Sequence, residues 1–343
     1  MIRPKRLKKG DKIAIVSLSW GGLGDAAFIH KYHIAKERIE RDFGLEVVAM
    51  PHALKGSDFV YAHPELRAQD LMDAFSDPTI KGVFCAIGGD DSIRLLPYID
   101  YDVLKAHPKI FMGYSDTTVS HFMMQKAGLV SYYGPSVMAE FGEYVRMFDY
   151  TENAVKRLLF EDSAGYEIPS CDYWSDDHVA WSEENIHTEK KMRPEEHHYE
   201  VLSGSGVITG KLSGGCLDVF PMIVGTQVWP ALDEWKDKLL LLETSEEKPG
   251  PDLVKYYLRN LGAQGILSRI RGIVVGKPQD EAFYEEYKEV YRTVLNEFDC
   301  PDLPIIYNVN IGHAAPTGIL PLGIEYEIDL DKKTIRLLES ATD

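Results

Sequence analysis

Short apolar runs alternate with amphipathic helical patterns through the first part of the chain, and this alternation limits the possible folds more than any other feature. The apolar runs lie at 13–18, 45–50, 82–87, 109–112 and 130–133, with helical patterns between most of them. Strands that alternate with helices pair in parallel, because each helix carries the chain back across the sheet. We therefore predict an α/β fold in which residues 1–160 form a doubly wound parallel sheet. Its ligand site should lie at the carboxyl ends of the strands.

The chain beyond residue 200 is richer in strand patterns. Its strand-like segments lie at 201–212, 238–243, 272–276, 304–308, 324–330 and 334–338, and its helical patterns at 217–223, 253–261 and 281–298. Because 343 residues exceed the usual size of one hydrophobic core, we predict a second, β-rich α/β domain over residues 201–343.

Residues 161–200 separate these two parts and contain 12 acidic and 3 basic residues. This composition predicts an interdomain loop. The loop holds Tyr173, Trp174 and Trp181, and aromatic side chains of this size seldom stay in water. Two interpretations stay open: the rings pack against a domain, or they bind substrate by stacking on a planar group.

A strand-to-helix reversal follows the apolar run at 109–112, with the sequence Gly113-Tyr114-Ser115-Asp116-Thr117. A serine at such a tight elbow stands clear of the sheet, where a base and a substrate can both reach its hydroxyl group. The free N–H groups of the new helix, beginning with that of Asp116, then face an oxyanion that forms beside Ser115. Ser115 is therefore a candidate nucleophile, although Ser115 or Asp116 could instead serve only as a helix N-cap.

A base and an orienting acid are needed to activate such a serine, and both can be found at the ends of other elements. Glu243 ends the buried-type strand 238–243, where an acid without a partner would be unfavourable. His313 lies among small residues in the turn-rich loop after the strand 304–308, which makes it the best candidate base. Glu243 could instead be a structural ion-pair partner, with Glu246 and Glu247 as competing acids. His313 could hydrogen-bond only its own loop.

Charge and composition exclude several classes of partner. The chain has 37 basic and 54 acidic residues, a formal net charge of −17 at pH 7, which argues against binding to nucleic acid. No apolar stretch reaches the length of a membrane span, so no membrane partner is expected. The four cysteines show no paired spacing, which is typical of free thiols in a reducing compartment. We therefore expect a cytoplasmic protein.

The histidine pattern predicts no metal site. His197 and His198 are adjacent, and adjacent side chains diverge on any regular element, while no second pair of ligands has suitable spacing. We expect neither a metal nor another cofactor.

Several motifs occur in a fixed order along the chain, namely Ile87-Gly88-Gly89-Asp90, Gly113-Tyr114-Ser115-Asp116-Thr117, Leu242-Glu243-Thr244, and Gly312-His313 with Leu320-Pro321-Leu322-Gly323. In this combination the chain resembles the LD-carboxypeptidase family of serine peptidases over nearly its whole length. The resemblance implies a Ser-His-Glu triad of Ser115, His313 and Glu243. It also implies an oxyanion hole from the N–H groups of Gly89 and Asp116, and a homodimer.

The family has two branches with different substrates. One removes the terminal D-alanine of murein tetrapeptides as an LD-carboxypeptidase. The other, the microcin C immunity proteins, hydrolyses the amide between an aminoacyl group and a nucleotide-like moiety. The segments 173–181 and 243–247 look more like the immunity branch, where Tyr173, Trp174 and Trp181 would stack on a purine. An aminoacyl-nucleotide is thus the expected substrate, and a small murein peptide is the alternative.

Two functions outside this class stay open. The segment Gly88-Gly89-Asp90-Asp91 is similar to the phosphate-binding loops of some small-molecule kinases, although Asp91 stands where a further glycine is expected. A non-catalytic ligand-binding protein of two α/β lobes is the other possibility. An α/β-hydrolase shares the order Ser, acid, His, but its elbow normally has glycine where this chain has Thr117.

Overall fold

The computed structural model describes residues 1–343, which form two mixed sheets with helices between and around them. The strands are β1 (Lys12–Val16), β2 (Glu46–Ala49), β3 (Ile80–Cys85), β4 (Ile110–Gly113), β5 (Ser131–Tyr133), β6 (Glu167–Ile168), β7 (Tyr173–Trp174), β8 (Arg193–Pro194), β9 (Glu200–Ser203), β10 (Val207–Cys216), β11 (Lys238–Glu243), β12 (Gly272–Gly276), β13 (Ile305–Val309), β14 (Leu320–Leu322), β15 (Glu325–Asp329) and β16 (Thr334–Leu337). The α-helices are α1 (Ile29–Asp42), α2 (Ser57–Ala62), α3 (Pro64–Ser76), α4 (Tyr101–Ala106), α5 (Thr117–Ala127), α6 (Asp149–Val155), α7 (Phe220–Ile223), α8 (Pro251–Ala263) and α9 (Tyr284–Glu297).

The first sheet has the order β14-β5-β4-β3-β1-β2, and β1 to β5 are parallel. Alternate residues of β1 enter different apolar clusters: Ala14 and Val16 pack on one face, and Ile13 and Ile15 on the other. Both faces of the sheet are therefore covered, as in doubly wound folds. The predicted parallel sheet with a strand-to-helix elbow is confirmed.

The second sheet has the order β6-β16-β15-β10-β11-β12-β13-β9. Strands β10 to β13 are parallel, whereas the strands at both edges run antiparallel to their neighbours. The predicted β-rich α/β character of this part of the chain is confirmed.

The predicted single strand over 201–212 is wrong in one respect, because the structure divides it. Gly204 and Gly206 both adopt positive φ, at 80° and 75°, and turn the chain between β9 and β10. Glycine populates this region without the steric penalty that a side chain brings. The break sends β9 to the edge of the sheet beside β13, while β10 lies near its centre.

The two sheets share their interior. Each of the two large apolar clusters contains residues of both sheets, and the N–H group of Cys216 in β10 donates to Thr118 Oγ1 in α5 at 3.0 Å. In addition, β14 from the C-terminal part pairs with β5 at the edge of the first sheet. The predicted boundary at residue 200 therefore does not separate the two sheets completely. The longest helices, α1 and α9, have 14 residues, and no helix has the length and apolar character needed to cross a membrane.

Candidate active site

A cavity of about 1090 Å³, here called the central cavity, lies at the carboxyl ends of the parallel strands. Residues that follow β3, β4 and β11 line it, together with the end of β10 and the loop after β13. Ser115, Gly89, Trp181 and His313 are all among its lining residues. The cavity thus lies at the edge where doubly wound sheets bind their ligands.

Ser115 occupies a sharp elbow between β4 and α5. Its φ of 62° lies in the left-handed region, which is unusual for a residue with a side chain and raises the free energy by about 1–3 kcal/mol. A Cβ atom on Gly88 would lie 2.7 Å from Ser115 Oγ. Glycine at position 88 therefore leaves the space in which the serine hydroxyl stands. Strain that is kept at a cavity wall is typical of functional residues.

The alternative interpretation of the elbow is that Ser115 or Asp116 serves only as the N-cap of α5. Asp116 does occupy the N-cap position of α5, but its side chain makes no capping hydrogen bond. Its carboxylate instead accepts the N–H group of Ser92 at 2.9 Å. The N–H groups of Gly89 and Asp116 donate no hydrogen bond within the chain. Both donors therefore have no partner within the chain, and Gly89 lines the same cavity as Ser115.

His313 and Glu243 form a close pair beside the cavity. His313 Nδ1 lies 2.8 Å from Glu243 Oε2, and the Glu243 residue is only 1% exposed. Gly312 has a φ of 88°, and a Cβ atom there would overlap the Glu243 carboxylate. Glu243, the buried acid that was predicted to need a partner, is therefore paired with His313.

Tyr133 connects the acid to the elbow. Its hydroxyl group donates to Glu243 Oε1 at 2.5 Å and accepts the N–H group of Ser115 at 3.2 Å. Sequence patterns did not single out Tyr133. Its position at the carboxyl end of β5, next to β4, was the available signal.

The second ring nitrogen of His313 also faces a carboxylate. Nε2 lies 2.9 Å from Glu246 Oε2, on the turn that follows β11. Burial lowers the pKa of His313, but the charge and hydrogen bond of Glu243, with those of Glu246, outweigh it and raise the pKa to about 10. In this arrangement the imidazole is protonated at neutral pH and donates from both nitrogens. Nε2 is therefore bound to Glu246 and not to Ser115.

Only one of the three aromatic residues predicted to bind substrate reaches the cavity. Trp181 lines it, and Lys31 Nζ lies 5.0 Å from the centre of the Trp181 ring. Tyr173 and Trp174 are not lining residues, because they pair with β8 in a short hairpin. Trp174 is 8% exposed, with Lys277 Nζ 4.6 Å from its ring centre. These two residues therefore lie outside the central cavity, and packing explains the burial of Trp174.

Apart from His313, the charged residues that line the central cavity are all acidic. None of its 24 lining residues is a lysine or an arginine, and the six carboxylates belong to Asp58, Asp90, Asp91, Asp218, Glu246 and Glu247. Such a lining attracts cations and repels anions.

One group of side chains near the cavity could hold a metal ion. Ligand atoms of Cys216, Glu243 and His313 all lie within 4.8 Å of one another. The three residues come from separate elements, so spacing along the sequence did not reveal them. Burial, followed by the charge of Glu243, raises the pKa of the Cys216 thiol well above its usual value. This disfavours the thiolate that a metal requires.

Comparison with known proteins gives consistent results. The LD-carboxypeptidase N-terminal domain matches residues 13–134, and the LD-carboxypeptidase C-terminal domain matches residues 209–328. A Vibrio cholerae protein with a provisional carboxypeptidase name is 31% identical over 98% of both chains. The microcin C7 self-immunity protein MccF of Escherichia coli is 30% identical over 80% of this chain and 78% of its own.

Solved structures agree with these sequence matches. An MccF-like protein from Streptococcus pneumoniae, in complex with AMP, superposes with a TM-score of 0.87 at 37% identity, over 96% of this chain and 98% of that chain. The microcin C7 self-immunity protein MccF, in complex with aspartyl sulfamoyl adenosine, superposes with a TM-score of 0.86 at 27% identity over 100% of both chains. The chain therefore belongs to the LD-carboxypeptidase family, and its fold is that of the MccF-like proteins.

Proposed function

We propose that this protein is a serine amidohydrolase that cleaves the amide between an aminoacyl group and a nucleotide-like moiety. Ser115 is the nucleophile, His313 the general base and Glu243 the acid that orients it. The observation that carries the proposal is the buried His313–Glu243 pair at 2.8 Å, beside a cavity that also exposes a serine at a left-handed elbow. This combination of nucleophile, base and orienting group is the one that acyl transfer requires.

In the proposed reaction, Ser115 Oγ attacks the acyl carbonyl while His313 Nε2 takes its proton. The N–H groups of Gly89 and Asp116 donate to the oxyanion, because no acceptor within the chain uses them. His313 then gives the proton to the leaving nitrogen, and water hydrolyses the acyl-enzyme by the same route. Glu243 stabilises the imidazolium and holds Nδ1 in its protonated tautomer.

Trp181 supports a nucleotide-like leaving group. Its ring lines the cavity, and a large π-face stabilises a stacked base by about 1–3 kcal/mol. The similar proteins crystallised with AMP and with aspartyl sulfamoyl adenosine bind ligands of this class.

The second candidate is a murein tetrapeptide LD-carboxypeptidase that releases D-alanine. It is favoured by the relative with a carboxypeptidase name, which matches 98% of this chain. A murein peptide offers no flat ring to Trp181, so we rank this substrate second.

Parallel turnover of an aminoacyl sulfamoyl adenosine and a murein tetrapeptide tests the choice. We expect the first to be hydrolysed with the higher kcat/KM. A fluorophosphonate should label the wild-type protein at Ser115 and leave Ser115→Ala unlabelled. Preference for the tetrapeptide would select the carboxypeptidase alternative. Hydrolysis that persists without a reactive Ser115 would refute the triad.

Two further properties stay predictions. We expect a homodimer, which light scattering after size-exclusion chromatography would test. We also expect a cytoplasmic location, which cell fractionation would test.

A further inference from the structure

Glu246 binds the nitrogen of His313 that catalysis needs. Its Oε2 lies 2.9 Å from Nε2, and its side chain is 58% exposed, whereas the side chain of Glu243 is 0% exposed. The two carboxylates that contact His313 therefore differ in how freely they can move. Glu243 is fixed by Tyr133, while Glu246 lies on an open turn and can leave.

As long as Nε2 donates to Glu246, it cannot accept a proton from Ser115. The general base becomes available only when Glu246 moves to another partner. The lining of the cavity offers no such partner, because it contains six carboxylates and neither lysine nor arginine. A cationic partner for Glu246 other than His313 is therefore one that the substrate supplies.

A second carboxylate in the cavity also lacks a partner for one of its oxygens. Asp218 Oδ2 accepts the N–H group of Ser245 at 2.8 Å, while Asp218 Oδ1 is buried and has no hydrogen-bond partner. Both Ser245 and Glu246 lie on the turn after β11. Two acidic groups, those of Asp218 and Glu246, thus lie on this side of the cavity.

We propose that Glu246 is the receptor for the free ammonium group of the aminoacyl part of the substrate, and that its transfer from His313 to this ammonium releases the base. The inference rests on the proposed function and specifies its substrate class: aminoacyl compounds whose amine is unmodified and protonated. When Glu246 leaves, the imidazolium loses one of its two anionic partners and releases the Nε2 proton to solvent. The neutral imidazole then accepts the proton of Ser115. A substrate without a cation leaves the base protonated and bound to Glu246.

The ionisable groups that face His313 come from several elements and are Tyr114, Cys216, Asp218, Glu243 and Glu246. Only Glu246 among them both contacts Nε2 and has an exposed side chain. Glu247 lines the same cavity but forms no ion pair with His313, which makes it a matched control for the general effect of cavity charge.

Binding to a protein that cannot turn substrate over tests the receptor role. On the Ser115→Ala background, calorimetry compares alanyl sulfamoyl adenosine with its N-acetylated form. Since a charge-assisted hydrogen bond is lost on acetylation, the free amine should bind about 10- to 100-fold more tightly. Adding Glu246→Gln should reduce this ratio to about 3-fold or less, whereas adding Glu247→Gln should keep most of it. Equal affinity on the Ser115→Ala background, or a ratio retained with Glu246→Gln, would overturn the proposal.

The contact with the base has its own test, which needs no substrate. An NMR titration of His313 should give a lower pKa in Glu246→Gln than in the wild type, and Glu247→Gln should change it less. An unchanged pKa in Glu246→Gln would refute the contact. A different result would show that the proposed function is wrong. In that case the wild-type protein would bind the free-amine compound more tightly than the acetylated one but would not hydrolyse it. That outcome would support the receptor role and refute the amidohydrolase.

Discussion

The kcat of the variant Glu243→Gln depends on which partner the oxygen of the new amide group faces. Glu243 presents one oxygen to Nδ1 of His313 and the other to the Tyr133 hydroxyl, and both partners donate. A glutamine has one oxygen in place of two, and the two donors face different oxygens of the carboxylate, so the amide oxygen can accept from only one of them. If the oxygen stays on Tyr133, the amide NH₂ faces Nδ1 and selects the imidazole tautomer that cannot act as a base at Nε2.

Burial favours that unproductive orientation. Tyr133 is 0% exposed, and burial, followed by the charge of Glu243, raises the pKa of its hydroxyl well above the usual value, so the proton stays in place. A buried donor left without an acceptor costs about 1–3 kcal/mol, which corresponds to a preference of about 5- to 150-fold. We therefore expect Glu243→Gln to lose about 10⁴-fold in kcat, the loss typical of a wrong tautomer in a triad.

The double variant Tyr133→Phe with Glu243→Gln provides the decisive comparison. Without the Tyr133 hydroxyl, the amide oxygen is free to accept from Nδ1, and kcat should recover by about 10-fold relative to Glu243→Gln alone. The measurement is kcat on an aminoacyl sulfamoyl adenosine, with circular dichroism and thermal unfolding to confirm that each variant folds. A double variant less active than Glu243→Gln, or a single variant that keeps a tenth of the wild-type kcat, would refute the reasoning.

Four other substitutions test the site on the same substrate. Ser115→Ala should lower kcat by about 10⁴- to 10⁶-fold, and His313→Ala should be nearly as damaging. The two losses should not add, because both residues serve one step. A Ser115→Ala variant that keeps more than a tenth of the wild-type kcat would contradict the triad. Trp181→Ala should raise KM for the aminoacyl-nucleotide mimic by about 10-fold and leave murein tetrapeptide turnover nearly unchanged, and equal losses on both would indicate a supporting role only. Gly88→Ala should fold but lose most of its kcat, because the added Cβ would lie 2.7 Å from Ser115 Oγ, and full activity in a folded variant would show that the elbow can yield.

Sequence patterns revealed the parts of the molecule that depend on local order. The alternation of strands and helices predicted the first sheet, and the elbow predicted the position of Ser115. The pairing of β7 with β8 joins Tyr173 to Pro194, residues distant along the chain, so no local pattern could show that the hairpin removes Tyr173 and Trp174 from the cavity. The same limit applies to Tyr133, whose partners Ser115 and Glu243 meet it only in three dimensions.

Glu246 differs from Tyr133, because its residue type and its position after β11 are evident from the sequence. In the sequence, Glu246 is a competitor of Glu243 for the role of orienting acid. The structure instead places the two acids on opposite nitrogens of one imidazole ring. Proximity along the chain indicated that both could reach His313, but only side-chain geometry distinguishes Nδ1 from Nε2.

The pairing of β14 with β5 has a consequence for biosynthesis. The open edge of β5 receives its partner only after residues 320–322 have left the ribosome, long after β5 itself has been made. Until then the nascent first sheet presents an unpaired edge, the kind of surface that recruits strands from other chains. Apolar side chains of both sheets also share the same two clusters. The two sheets should therefore fold cooperatively, with the first sheet dependent on β14 for its completion.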